Sequence, residues 1–396
     1  MLNQNIIREA TRLTRAGQLV EASALLQRML RGDSAPDAPS NTEGRIALAG
    51  PLIIDAKANP VEESDSHPRL EPASSAHLRS LRASPDRKQT RSGTGLRAVM
   101  KRATLSAPNV VPEGAQFIES TYSNPAGRRA YKLFIPSRYR ERPLPLVVML
   151  HGCTQSPDDF AAGTRMNLIA EEHNCFVAYP AQPSQANQAK CWNWFRKADQ
   201  QRGRGEPSLI AGITSQIMDD YFVDRKRVYV GGLSAGAAAA AIMGATYNDV
   251  YAAIGIHSGL ACGSAADLPS ALVAMRQGGS DLKVSPGDRP PVPTIVFHGD
   301  RDTTVHPNNG GQILEQSART MNTQKEVHRG QVPGGHAYTR TILSDASGRG
   351  ILEHWNIHGA GHAWAGGSPA GSYTDPLGPD AAREMLRFFL EHSHRE

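Results

Sequence analysis

Val230-Gly231-Gly232-Leu233-Ser234-Ala235-Gly236 is the stretch on which the reading of this 396-residue chain turns. Before it, Arg227-Val228-Tyr229-Val230 has the β-branched, apolar composition of a buried strand. After it, Ala237 to Ala241 with Ile242 and Met243 reads as a helix of small residues. The serine falls in the turn between them. Gly232-x-Ser234-x-Gly236 is the pattern of a nucleophile elbow, in which strand passes so sharply into helix that the serine takes a strained backbone conformation. Such a turn lifts the Ser234 hydroxyl at the carboxyl end of a sheet and aims the Ala235 amide at the same spot. By itself the pattern describes a tight turn containing a serine equally well, in a chain with 37 glycines.

A serine hydroxyl is a poor nucleophile until a base takes its proton, so the reading depends on partners downstream. Pro293-Thr-Ile-Val-Phe297 is a strand run that opens into His298-Gly299-Asp300-Arg301-Asp302-Thr303-Thr304-Val305-His306-Pro307, a loop with two carboxylates just past a strand end. Leu352 to His358 leads in the same way into Gly359-Ala360-Gly361-His362-Ala363-Trp364. The order Ser, Asp, His, each after a strand, is the α/β-hydrolase order. Among the 14 histidines, His362 stands out because the glycines before it let the backbone bend toward the nucleophile. Upstream, Leu146 to Leu150 is a continuous apolar strand ending in His151-Gly152-Cys153-Thr154-Gln155. A His-Gly turn at this place supplies the second oxyanion amide, assigned to Cys153, with Thr154 the less favoured donor.

His-Gly-Cys-Thr-Gln, Cys191-Trp-Asn-Trp-Phe195, Gly-Leu-Ser-Ala-Gly, His-Gly-Asp-x-Asp-Thr-Thr-Val-His-Pro and Gly-His-Ala-Trp, in that order, resemble the esterase family of polyhydroxybutyrate depolymerases. The resemblance covers roughly Gln116 to Glu391. It implies a serine esterase acting on short-chain hydroxyalkanoate polyesters or similar esters, related to feruloyl and acetylxylan esterases. Residue by residue it implies Ser234 as nucleophile, Asp302 as orienting acid and His362 as base. Asp300 is the alternative acid, set aside because the acid of such loops lies three residues after the glycine. No polymer-binding domain is visible after the last helix, which leads to the expectation of short esters and soluble oligomers rather than crystalline polymer.

Three regions follow from composition: a helical hairpin over residues 1–33, a disordered basic linker over 34–109 and a catalytic domain over 110–396. In the first, Ile6, Ala10 and Leu13 share one helical face, and Leu19, Ala22, Leu25, Leu26 and Met29 another. Such a pair reads either as packing on the catalytic domain or as an element for docking and self-association. The linker is Pro, Ser, Ala and charge with few aromatics. Between Arg69 and Arg102 nine Lys or Arg face only Glu71 and Asp86, more net charge than the +5 of the whole chain. No aromatic platform or groove-reading motif accompanies it, so a nucleic-acid partner is not expected. No stretch reaches the ~20 apolar residues of a membrane span, and Met1-Leu-Asn-Gln-Asn lacks the basic start and apolar run of a signal peptide.

Within the catalytic domain, Gln116 to Tyr122 and Arg129 to Ile135 read as a hairpin at a sheet edge. Helices are expected over Asp158 to His173, Ser208 to Phe222 and Pro379 to His392, the last with Met385, Phe388 and Phe389 facing the core. Phe176 to Tyr179 and Ala252 to Ile256 are expected as strands, and Gly259 to Pro291 as loop. The alternation predicts an α/β-hydrolase fold: a mainly parallel sheet, helices on both faces, and all four motifs at the carboxyl ends of strands.

The four cysteines allow three pairings. A bridge from Cys153 to Cys191 would brace the oxyanion amide and leave Cys175 and Cys262 as buried thiols. Disulfides and the family resemblance imply an extracellular setting, whereas the missing signal peptide favours a cytoplasmic one. Trp194 and Trp364 are candidate walls of an apolar acyl pocket, while Trp192 and Trp355 read as structural filling. No metal-ligand spacing, phosphate loop or dinucleotide fingerprint occurs, so neither metal nor cofactor is expected. The expected activity is ester hydrolysis by an acyl-enzyme route. Its rivals are a feruloyl- or acetylxylan-type esterase and a non-catalytic binding protein on the same fold.

Overall fold

The computed structural model describes residues 111–279, 292–319 and 321–394. The helical hairpin, the whole linker and the end of the Gly259 to Pro291 segment therefore lie outside the described residues.

The strands are β1 (Gln116–Asn124), β2 (Gly127–Ile135), β3 (Leu144–Leu150), β4 (Phe176–Pro180), β5 (Val223–Leu233), β6 (Ala253–His257), β7 (Thr294–Gly299), β8 (Gln324–Gln331), β9 (Ala337–Ser344) and β10 (Gly350–Ile357). They form one sheet in the order β1-β2-β4-β3-β5-β6-β7-β10-β9-β8. From β4 to β10 all neighbours are parallel, and an antiparallel hairpin flanks each end. Two further short strands, β11 (Trp364–Ala365) and β12 (Thr374–Asp375), pair with each other past β10. The helices are α1 (Pro157–Thr164), α2 (Met166–His173), α3 (Gly205–Asp220), α4 (Ala235–Thr246), α5 (Leu268–Gln277), α6 (Asn308–Ala318) and α7 (Ala381–Leu390).

Where both faces are covered the central strands are apolar, as in β3, β4 and the Val228 to Leu233 half of β5. Leu146, Val148 and Leu150 of β3 point into one core with Val230, Ile210, Ile213, Ile217 and the alanines of α4. Val147 and Met149 point into the other with Tyr229, Phe160, Met166, Ile169, Met385 and Phe389. The helices thus divide by face, α1, α2 and α7 on one side and α3 to α6 on the other.

Four boundaries differ from expectation, each for a local reason. The single helix expected over 158–173 is two, because Arg165 takes a left-handed conformation (φ 58°) and its guanidinium bonds Gly366 O at 2.7 Å and Asp380 at 3.1 Å. The helix expected from Ser208 starts at Gly205, so that Glu206 is buried in its first turn, and stops at Asp220, leaving Phe222 exposed. The final helix starts after Pro379, at Ala381, where Asp380 caps it by accepting from the Arg383 amide. Leu268 to Gln277, expected as loop, is α5: Asp267 and Ser270 form a reciprocal capping box and Ala271 and Ala274 turn inward. The hairpin of β8 and β9 carries mostly exposed or half-buried polar residues and left no apolar signal to read.

One close approach positions the site. A Cβ on Gly236 would lie 2.1 Å from Leu150 O and 2.5 Å from His151 O, so the first turn of α4 rests directly on the end of β3. Backbone cannot yield as a side chain can. Gly255, whose added Cβ would first meet the flexible Met385 side chain, at 2.5 Å, offers the control. Gly236→Ala is expected to cost at least about 2–3 kcal/mol and Gly255→Ala about 1 kcal/mol. Urea unfolding checks this, and equal midpoints for the two variants would show that the elbow has room to spare.

Candidate active site

Strand register brings the expected residues to one edge. Leu233 at the end of β5 pairs with His257 of β6, and His257 pairs with Phe297 of β7, which pairs with Trp355 of β10. Ser234, Asp302 and His362 follow β5, β7 and β10, so all three lie past the carboxyl ends of parallel strands. Ser234 has φ 56° and ψ −119°, the strain expected of the elbow, and its amide donates to His257 O at 2.9 Å. Ala235 is the first residue of α4, where amides have no partner within the helix and the helix dipole favours negative charge.

His362 Nδ1 lies 2.7 Å from Asp302 Oδ2. Asp302 is buried, and its other oxygen accepts from the amides of Thr304 at 2.9 Å and Val305 at 2.8 Å. Burial alone would raise the Asp302 pKa, but hydrogen bonds from His298 and His362 outweigh it and hold the carboxyl well below the usual range. An ionised carboxylate only accepts, so His362 donates Nδ1–H and presents Nε2 as its basic nitrogen. The second acid of the loop, Asp300, pairs with a different histidine, His358, at 3.0 Å.

At the His-Gly turn, the Gly152 amide donates to Gln155 Oε1 at 2.9 Å and the Thr154 amide to Ala189 O at 2.6 Å. Both flanking amides are occupied, which favours Cys153 over Thr154 as the oxyanion donor. Cys153 is disulfide-bonded to Cys191, and Cys175 and Cys262 are buried free thiols whose pKa burial pushes up to about 12. The far end of the bridge is held in turn. Buried Glu206 accepts from the Asn193 amide at 2.7 Å and from the Asn193 and Gln182 side chains, and Trp192 Nε1 donates to His151 O at 3.0 Å. Burial raises the Glu206 pKa against these hydrogen bonds.

Neither candidate pocket tryptophan lies open. Trp364 is 1% exposed, stacked on His257 with centroids 5.0 Å apart and edge-on to Phe160. Trp194 is 7% exposed, within the core beside α3 and α4. Both rings thus pack within the core. The exposed aromatic near the oxyanion turn is Tyr373, whose hydroxyl lies 3.0 Å from Thr154 Oγ1.

Three supports received no role from the sequence: His151 and His298, which open two of the motifs, and His257, which lies in none; each closes an apolar strand, which is the signal that could have found them. His151 Nε2 accepts from the Gln182 amide at 3.1 Å, so its Nδ1 donates to Gly152 O at 2.7 Å. His257 Nε2 accepts from the Ala365 amide at 2.9 Å. His298 Nε2 donates to Val305 O at 2.8 Å and lies 3.5 Å from Asp302 Oδ2. No group of three or more His, Cys, Asp or Glu that could hold a metal occurs among the described residues, and no helix among them is long and apolar enough to cross a membrane.

The chain is similar to known esterases. A family model described as Esterase PHB depolymerase matches residues 129–327, half of the chain. Poly(3-hydroxyalkanoate) depolymerase C of Paucimonas lemoignei is 32% identical over 250 residues, 61% of this chain and 59% of that one, so the match spans about three fifths of the relative's length. Feruloyl esterase B of Neurospora crassa is 27% identical over 303 residues, 72% of this chain and 95% of the relative. Among solved structures, acetyl xylan esterase from Aspergillus awamori superposes with a TM-score of 0.55 at 20% identity, covering 70% of this chain and 99% of that one, which supports an α/β-hydrolase-like fold.

The buried rings carry a pH signature. Burial, then repulsion from His298 and His362, lowers His257 to about 3, and burial lowers His151 to about 4 despite its Gly152 hydrogen bond. Unfolded, both rings bind a proton near pH 6.5. The unfolded chain therefore holds more protons between pH 6.5 and about 4, and stability falls as pH falls through that window. Each ring contributes ~1.4 kcal/mol per pH unit. Chemical denaturation at pH 7, 6 and 5 should give a steadily lower unfolding free energy, and a flat series would contradict neutral buried rings.

Proposed function

Because the chain belongs to the esterase PHB depolymerase family, we propose that it is a serine carboxylic ester hydrolase acting on short-chain hydroxyalkanoate esters and their soluble oligomers. The observation that carries the reading is the Asp302–His362 contact of 2.7 Å beyond a strained Ser234 elbow. In this reading Ser234 Oγ attacks the ester carbonyl while His362 Nε2 takes its proton. The carbonyl oxygen becomes an oxyanion held by the amides of Cys153 and Ala235. His362 then returns the proton to the alkoxide as the ester bond breaks, leaving an acyl group on Ser234. A water molecule, deprotonated by the same nitrogen, attacks the acyl carbonyl, and the acid leaves as His362 returns that proton to Ser234 Oγ. Asp302 keeps its negative charge throughout, holding the Nδ1–H tautomer and stabilising the imidazolium that forms.

The second reading, a feruloyl- or acetylxylan-type esterase, has the same mechanism. What favours it is that feruloyl esterase B is matched over 95% of its length. A non-catalytic role fits poorly with an ordered acid and base pair past the carboxyl ends of the same parallel strands as a strained serine.

Ser234→Ala is expected to lose on the order of 10⁶ in kcat with little change in thermal stability, and Asp302→Asn about 10⁴. Hydrolysis of a p-nitrophenyl short-chain ester measures both, and turnover by Ser234→Ala equal to wild type would end the proposal. Side-by-side rates on dissolved 3-hydroxybutyrate trimer, methyl ferulate and acetylated xylan decide the acyl group. Preference for the trimer supports the first reading, and preference for either of the others replaces it with the second.

A further inference from the structure

Asp300 and His358 form a second acid and histidine pair that the reaction does not use. They sit in the same two loops as Asp302 and His362, two residues before the acid and four before the base. The pair is far from buried, with side chains 36% and 41% exposed. Asp300 Oδ2 accepts from His358 Nδ1 at 3.0 Å, and Oδ1 accepts from the Gly359 amide at 2.7 Å. On the far side of the ring, His358 Nε2 lies 2.9 Å from Thr339 Oγ1 of β9. Backbone bonds reinforce the join: the Asp300 amide donates to Ile357 O and the Arg301 amide to Ala360 O, each at 3.0 Å. One carboxylate thus ties the turn after β7 to the turn after β10.

The turn needs such a tie. Gly359 has φ 85°, a left-handed conformation, and Gly361 has open space where a side chain would be. Backbone between the strand end and His362 is therefore loosely specified by its own sequence. The Gly359 amide, which points to the Asp300 carboxylate, is the group whose direction sets how the next three residues leave the strand. Charge strengthens the contact, since an ionised acceptor makes shorter and stronger hydrogen bonds than a neutral one. The Gly359 amide and His358 hold the Asp300 carboxyl below its usual range although partial burial acts in the opposite direction.

We propose that Asp300 is a positioning residue for ester hydrolysis: by binding Gly359 and His358 it fixes the loop that carries His362 at hydrogen-bonding distance from Asp302. The inference rests on Asp302 and His362 being the acid and base. Asp300 touches neither substrate nor reacting atoms. A misplacement of the base affects the chemical step more than binding, and displacements near 1 Å cost up to about a hundredfold.

The test compares Asp300→Ala, Asp300→Asn, His358→Gln and Asp302→Asn by steady-state kinetics and by the rate of fluorophosphonate labelling of Ser234. Asp300→Ala is expected to lower kcat roughly ten- to hundredfold with KM within about twofold, and to slow labelling in parallel. Asp300→Asn, which can still accept from Gly359, should recover most of that loss. His358→Gln, which removes the imidazole partner but leaves the Gly359 bond intact, should lose severalfold in kcat and serves if Asp300→Ala fails to fold. A purely structural role would lower melting temperature without this split between kcat and KM. Wild-type kcat in folded Asp300→Ala, or in His358→Gln should Asp300→Ala not fold, overturns the positioning role while Asp302→Asn remains crippled. If instead Asp302→Asn is active and Asp300→Ala is dead, the assignment of the catalytic acid itself is wrong, and the positioning role falls with it.

Discussion

The first turn of α4 lies against the carbonyls of Leu150 and His151 with no room for a single Cβ on Gly236. Everything chemical in the site depends on that contact. It seats the elbow of β5 on the end of its neighbour β3, so the nucleophile and the His-Gly turn become adjacent although more than 80 residues separate them in sequence. Ser234 is held in a backbone conformation that an isolated turn would not keep, and the surrounding sheet supplies the energy for that strain.

Around this contact the protein holds its chemical groups with histidines that do no chemistry. His151 locks the oxyanion turn by accepting from Gln182 and donating to Gly152. His257 anchors the start of β11 through Ala365, and its own carbonyl accepts the Ser234 amide. His298 reaches Val305 and stands against Asp302. Because a neutral imidazole both donates and accepts, it can join two backbone segments in a buried place where a charged side chain would be costly. The disulfide from Cys153 to Cys191 and the buried Glu206 brace the other side of the same turn. The His-Gly turn is thereby held from both directions, and in the proposed reaction its amide would meet the developing charge already in place.

The carboxylates of the acid loop divide the work by burial. Asp302 is almost fully enclosed and faces the base, while Asp300, two residues earlier, points to the half-exposed His358. Strand geometry alone does not separate them, since residues two apart on an extended chain share a face. The turn after Gly299 separates them, with the Asp302 amide bonding back to the Gly299 carbonyl and the Arg301 amide crossing to Ala360.

Local sequence determined the elements whose residues speak for themselves. Apolar runs such as Leu146 to Leu150 make central strands, Gly232-x-Ser234-x-Gly236 makes the elbow, and Ser234, Asp302 and His362 each follow a strand, so fold class and candidate triad were legible from spacing. Resemblance to a known family distinguished Asp302 from Asp300 before any geometry did. The break at Arg165, helix α5 and the β8–β9 hairpin were not legible, because the left-handed residue is held by Gly366 and Asp380 far along the chain and the hairpin has no apolar alternation. The surroundings of the tryptophans were not legible either: indole composition suits a pocket wall and a core equally, and the packing of Trp364 between His257 and Phe160 comes from residues distant in sequence. What tertiary structure alone decided was direction, meaning which nitrogen of each histidine accepts, which amide of the His-Gly turn stays free and which histidine each aspartate meets. These depend on partners distant in sequence, and a hydrogen bond between groups dozens of residues apart leaves no periodicity to read.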